Sequence, residues 1–227
     1  MSKTYKIVII LILIISPFSV NAHVQHYEDL NRIEFDIFRN NKHIGKHIFS
    51  FKISDEKLLV DSEINFEIKK FGIVLYKYHV KGTEVYKDGK LIKFNSKTNQ
   101  NGKNKYVNLT LKDNEYVIDG SSYKGKAPTD FMLGTWWNHS IMKASAQISA
   151  VSGRIIKQKV TFLGKETVKF GEKNFNTLHF NFSSTDKQLG KGKKLNTDVW
   201  YDEQTLNWIK ASFEKKGKWE YKLVYMD

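Results

Sequence analysis

From Ile33 onward, apolar and polar residues alternate with the two-residue period of a strand that is half buried. Ile33, Phe35 and Ile37 are separated by charged residues, Asn40-Asn41 supplies a turn, and Phe49, Phe51 and Ile53 follow on one face. Leu58, Val60, Ile64, Phe66 and Ile68 then interleave with Asp61, Glu63, Asn65, Glu67 and Lys69, so one face meets a core and the other meets water. Phe71-Gly72 turns the chain into a long strand from Ile73 to Tyr86, and the hairpin dipeptides Asp88-Gly89 and Asn101-Gly102 bracket another from Leu91 to Gln100. Val107, Leu109 and Leu111 mark its partner, and Asp113-Asn114 leads to Tyr116–Ile118. After Pro128 the rhythm breaks. Leu133, Trp137 and Ile141 lie four apart, which predicts one short helix near 129–143 with Thr129 as its N-cap. Strands resume at Ile155–Leu163, Lys165–Phe170, Phe175–Ser183, Leu195–Tyr201, Trp208–Phe213 and Trp219–Tyr225. Hairpin-length connections disfavour a parallel sheet, and no repeat or long linker divides the chain. The pattern predicts an all-β fold: a single antiparallel β-barrel, half-barrel or sandwich of about a dozen strands.

The first 22 residues follow a different logic. Lys3 and Lys6 precede an apolar run from Ile7 to Ile15, then Ser16-Pro17 and the small residues before Ala22. That order is the one a secretory signal peptide uses, and the run is short for a permanent span, although an uncleaved anchor is the rival reading. The expectation is therefore a signal peptide over 1–22 and a single β-rich domain over 23–227, without an integral membrane segment after processing. The Lys-, Asn- and Ile-rich composition looks bacterial, which makes the periplasm the expected destination; there, the Asn-X-Ser/Thr triplets at Asn108, Asn138 and Asn181 read as surface residues rather than glycan sites.

Composition narrows the chemistry. The chain is 41% hydrophobic and 14% aromatic, enough to build a core, so wholesale disorder is excluded. It has no cysteine, which removes disulfides, thiolate zinc sites and thiol nucleophiles together. The formal charge of +13 speaks for solubility and loose attraction to anions, and nucleic acid is a poor partner for an exported protein.

Against this background the strand Ile73–Tyr86 is the most informative. Its even positions carry Tyr76, Tyr78, Val80, Gly82, Glu84 and Tyr86, so Glu84 falls on the aromatic face, where a carboxylate must be hydrogen-bonded or paired. A tyrosine-lined wall with one acid suits a ligand with a polar tip, with Trp136 and Trp137 near the opening. The plainer readings are a bulge at Gly82 that turns Glu84 outward, simple hydrogen bonding to tyrosine hydroxyls, and one tryptophan buried as a plug. Trp219, Tyr221, Leu223 and Tyr225 share a face that is either core or a platform for sugar or lipid. His43 and His47 share a strand face at roughly 13 Å and cannot hold one metal unless the strand kinks at Gly45. No metal site or cofactor is expected from the remaining histidines. Cleavage after Ala22 would expose His23, whose amine and imidazole, with His26, suit Cu(II). Ser140-Ile-Met-Lys143 matches the Ser-X-X-Lys pattern of penicillin-recognising acyltransferases, but only at its two fixed residues and without the companion motifs or the α/β scaffold, and is set aside. The Lys187–Lys194 segment, with four lysines and two glycines, reads as a solvated loop or as an attractor of anionic headgroups.

The runs Tyr76-X-Tyr78-His79, Glu84, Asp88-Gly89-Lys90-Leu91 and Thr98-Asn99-X-Asn101-Gly102 resemble an exported bacterial family, domain of unknown function 6134. Phe35 to Gly45, Trp136 to Gly153 and Val199-Trp200-Tyr201-Asp202 extend the resemblance over nearly the whole mature chain, with a more distant similarity to domain of unknown function 3108. Tyr86 stands where the family pattern has tryptophan. The resemblance implies a β-rich exported domain and no established activity, catalytic residue or cofactor.

Two functional expectations follow. The first is a non-enzymatic β-barrel that binds an apolar or amphipathic ligand, such as lipid or envelope glycan, through Tyr76, Tyr78, Glu84, Trp136 and Trp137. The second is a structural or assembly factor of the cell envelope that acts through its surface and has no ligand cavity. A hydrolase or copper enzyme ranks last.

Overall fold

A computed structural model describes Tyr27 and residues 29–227; the predicted signal peptide, His23 and His26 lie outside the described residues. The chain forms β1 (Arg32–Arg39), β2 (Lys42–Ser54), β3 (Lys57–Lys70), β4 (Ile73–Lys87), β5 (Lys90–Gln100), β6 (Lys103–Lys112), β7 (Glu115–Gly120) and β8 (Lys124–Pro128). After these come β9 (Met132–Leu133), a 3-10 turn (His139–Lys143), β10 (Ala146–Ile148), β11 (Ile155–Phe170) and β12 (Lys173–Ser184). A short 3-10 turn (Lys191–Lys193), β13 (Asn196–Asp202), β14 (Trp208–Glu214) and β15 (Lys218–Met226) complete it. All fifteen strands belong to one sheet in the order 8-7-6-5-4-3-2-1-15-14-13-12-11-10-9. Every pairing is antiparallel except the short one between β9 and β10.

The sheet is thus two meanders joined at β1 and β15, with Ile37 opposite Tyr221 at the seam. No ladder closes β8 onto β9 among the described residues, yet only residues 129–131 separate these two edges. This open, barrel-like sheet is the predicted all-β architecture. The predicted helix is realised only as the 3-10 turn His139–Lys143, capped by the Asn138 side chain, which accepts from the Ser140 backbone N–H at 3.0 Å. Thr129 caps nothing helical because Met132 and Leu133 pair with Gln147 and Ile148 instead.

The tight turns follow their sequence. Asn40-Asn41, Asp88-Gly89, Asn101-Gly102 and Asp113-Asn114 all have positive φ at both positions, as two-residue hairpins require. Where the alternating pattern misplaces side chains, a bulge is the cause. Gly45 pairs Ile37 but His43 pairs Phe38, so Ile44 is an extra residue, and His43 turns out to solvent while His47 stays buried. The expected shared face of His43 and His47 therefore does not exist. A bulge at Val224 likewise turns Tyr225 outward, away from Trp219, Tyr221 and Leu223. Gly164, at φ +134, allows one continuous β11 where two strands are expected.

The core lies inside the curved sheet, around Phe35, Phe49, Phe94, Trp137, Phe182, Tyr201 and Trp208. It is filled by the protein's own chain. The segment from Gly134 to Gly153 crosses the interior and is tied to both flanks: Ser96 Oγ of β5 donates to the Ala150 carbonyl at 2.5 Å, and Tyr201 Oη of β13 donates to the Trp136 carbonyl at 3.0 Å. From β11, Gln158 Nε2 donates to the carbonyls of Ile141 and Ala144 within the segment, and so fixes the 3-10 turn against that strand.

Candidate functional site

The register of β4 holds through Gly82 without a bulge, and Val80, Gly82, Glu84 and Tyr86 all point inward. Glu84 is fully buried. A carboxylate there needs donors, and it has them: Tyr86 Oη donates to Oε2 at 2.6 Å and Trp137 Nε1 donates to Oε1 at 3.0 Å. Burial raises the Glu84 pKa to about 6, against the lowering effect of hydrogen bonds from Tyr86, Trp137 and Thr135. The same burial, with the Glu84 charge beside it, holds the Tyr86 hydroxyl well above its ordinary value.

Trp137 is the centre of an aromatic box. Its ring meets Tyr27, Phe51 and Tyr86 edge-on at centroid distances of 4.9, 5.3 and 5.6 Å. Tyr27 in turn holds the 3-10 turn, with its hydroxyl 2.6 Å from His139 Nδ1 and accepting from the His139 backbone N–H at 3.1 Å.

A second buried group lies beside this box. Trp208 stacks on Phe35 at 3.8 Å and meets Trp136, Tyr221 and His47 at 5.6, 5.8 and 6.0 Å. Burial pushes the His47 pKa down to about 3, so this imidazole is neutral at ordinary pH. His47, Val80, Gly82, Thr135 and Gln147 border a void of about 160 Å³. That is room for a few waters and not for a lipid chain.

Tyr76, Tyr78 and Glu84, expected on one wall with Trp136 and Trp137 near its opening, all lie on the inward face of β4 but at its two ends. Glu84 and Trp137 meet in the closed interior. Tyr76 and Tyr78 stand at the other end of β4, stacked on Phe66 at 6.1 and 4.8 Å, with Gln100 Nε2 donating to Tyr76 Oη at 2.7 Å. Six residues of extended strand, roughly 20 Å, separate Tyr78 from Glu84. Trp136 packs inward on Trp208 and Tyr221, and Trp137 is a plug. Sequence reasoning missed Tyr27, Thr135, Asn138 and His139, because their roles come from long-range packing. An open pocket of about 410 Å³ borders the aromatic box at Tyr86 and Asn138 and is lined further by Leu91, Leu111, Tyr116 and Phe131.

Among the described residues no group of three or more His, Asp or Glu side chains could hold a metal ion. No described helix is long and apolar enough to cross a membrane. What the site does chemically is hold a proton or a charge on Glu84 within a locked core.

No curated protein matches the chain. Solved structures similar to the chain include the following two. One is the β-barrel-like protein of domain of unknown function DUF1849 from Brucella abortus, at 13% identity over 88% of this chain and 98% of that one, with a TM-score of 0.62. The other is a protein with a YmcC-like fold from Bacteroides fragilis, at 9% identity over 88% and 96% of the two chains, with a TM-score of 0.37. The first likeness is one of fold alone, and neither structure carries the expected similarity to domain of unknown function 3108. The model of the domain of unknown function DUF6134 matches residues 35–224, nearly the whole barrel-like sheet and all of the segment that fills it, and the chain belongs to that family.

Proposed function

We propose that this protein is an exported, non-catalytic β scaffold that works at the cell envelope through its surface, rather than a carrier with a lipid chamber. One observation carries the reading: the interior is occupied by the protein's own Gly134–Gly153 segment, and both Glu84 oxygens already accept hydrogen bonds from Tyr86 and Trp137. A stored ligand would have to displace a fully buried tryptophan with three aromatic neighbours. The signal-peptide pattern of residues 1–22 supports export.

Native mass spectrometry and solvent extraction of protein purified from the envelope test this reading. The expected result is the mass of the polypeptide alone; a lipid retained at one per chain would overturn it. A second reading rests on the 410 Å³ pocket, which falls within the range of small-ligand sites and combines Leu91, Leu111 and Phe131 with the polar Asn138. A small amphiphile recovered in the same extraction, and lost on Leu111→Asp, would favour it.

A further inference from the structure

We infer that the tip of the β3–β4 hairpin docks the basic end of this protein onto an anionic lipid bilayer. The inference deepens the surface-acting reading above by naming what the surface meets.

The hairpin stands clear of the sheet. β2 pairs with β3 only as far as Gly45 opposite Phe66, and β5 pairs with β4 only as far as Gln100 opposite Tyr78. Lys77 is still tied to the β5–β6 turn, its carbonyl accepting from the Asn101 backbone N–H at 2.8 Å, so residues 68–70 and 73–76 pair with each other in a two-stranded ribbon beyond both neighbours. Such a ribbon has little reason to be apolar in water. Yet Phe71 is 91% exposed, Ile73 66% and Leu75 54%. A bulge at Leu75, between the Ile68–Tyr76 and Lys69–Val74 pairs, leaves apolar side chains on both faces of the ribbon.

The turn residue makes the same point independently. Phe71 occupies the left-handed region at φ +51, followed by Gly72 at φ +76. The equivalent first positions of the other two-residue turns hold Asn40, Asp55, Asp88, Asn101, Asp113 and Gly171, the residue types this conformation favours. Phenylalanine strains the turn and gains little contact in return; its ring faces the Lys70 ammonium at 5.4 Å. An aromatic that breaks a local rule at a fully exposed tip has its compensation outside the molecule.

Charge selects the occupant. Antiparallel order places the β1–β2, β3–β4, β5–β6, β12–β13 and β14–β15 links at one end of the sheet, and Lys218 N donating to Asn40 Oδ1 at 2.9 Å joins two of them directly. These links carry Lys187, Lys193, Lys194, Lys215 and Lys216 against the single acid Asp186. Each link at the opposite end carries an acid: Asp55, Asp88, Asp113, Asp130, Glu172 and Glu203, with no Lys or Arg among those links. Lysines at strand ends occur at both ends, so the links set the polarity. Lys69, Lys70 and Lys77 flank the apolar tip itself; Glu67 stands between Lys69 and Lys77, 3.1 and 3.2 Å from their ammonium groups, so the tip carries three lysines against one acid. In such an arrangement rings and aliphatic chains enter the headgroup boundary while the excess positive charge meets phosphates.

Exported protein, with its processed N-terminus verified by mass, should co-sediment with phosphatidylglycerol-containing vesicles and not with phosphatidylcholine vesicles, and added salt should weaken the binding. Phe71→Asn with Leu75→Ser should lower vesicle affinity by about tenfold or more. Phe71→Asn relieves the turn, so lost binding cannot be ascribed to misfolding. Lys69→Glu with Lys70→Glu should weaken binding while leaving the apolar tip intact. Absence of binding to the anionic vesicles, or binding unchanged in the Phe71 and Leu75 variants, overturns the inference. So does a dimer in sedimentation that Phe71→Asn dissolves without vesicles, which would make a second copy the occupant. The two readings fail separately: a stoichiometric lipid with intact vesicle binding ends the solid-scaffold reading alone, and no lipid with no vesicle binding ends the docking alone.

Discussion

Glu84 and His47 are the residues whose burial has a measurable price in pH. Glu84 has its folded pKa raised to about 6 from 4.5, so its stabilisation is complete below pH 4.5 and is lost as pH rises through 6. That is about 2 kcal/mol across the window. His47 has its folded pKa lowered from 6.5 to about 3, so it contributes above pH 6.5 and loses that contribution as pH falls toward 3. The two slopes oppose each other between pH 4.5 and 6. Glu84→Gln should therefore leave a steeper rise of stability with pH than the parent shows in this window, and His47→Leu a fall, both read by urea denaturation at stepped pH. Identical pH profiles for Glu84→Gln and the parent would mean that the carboxylate is not buried as described. The inward aim of Glu84 was legible from alternation along β4, because strand period alone fixes it. Its partners were not: Tyr86 is two residues away, but Trp137 lies 53 residues on and arrives only by tertiary folding.

At the scale of elements, the strands and most turns could be read from the sequence, and the bulges could not. One extra residue reverses every later side chain, and nothing in the local pattern marks Ile44 or Val224 as extra. The short helix was legible only as an interruption; Asn138 and Gln158 decide where it forms. Close packing also yields predictions here. A Cβ at Gly45 would lie 2.6 Å from the Phe66 Cα, in backbone that cannot move aside, so Gly45→Ala should cost about 2–3 kcal/mol in denaturant unfolding. Trp137→Ala empties the aromatic box and removes a donor from Glu84, and should cost about 3–5 kcal/mol. Loss of the plug would loosen the Gly134–Gly153 segment first, seen as faster amide exchange there than in β4.

For the whole molecule, the feature with the widest reach is the order of its strands. Eight successive strands build one half of the sheet and seven the other, and the seam between them pairs β1 with β15. The segment that fills the first half is encoded after it, so a chain emerging from its amino end completes β1–β8 while the core position of Trp137 is still vacant and the β1 edge is unpaired. A protein threaded across a membrane from that end would spend this interval with an open strand edge facing its surroundings, the kind of edge that invites pairing with another chain. The same connectivity makes residues 129–131 a natural cut point. Two polypeptides divided there should reassemble through the β1–β15 seam and the inserted tryptophan when produced together, and each should aggregate when produced alone; co-purification of the two pieces is the measurement that decides it.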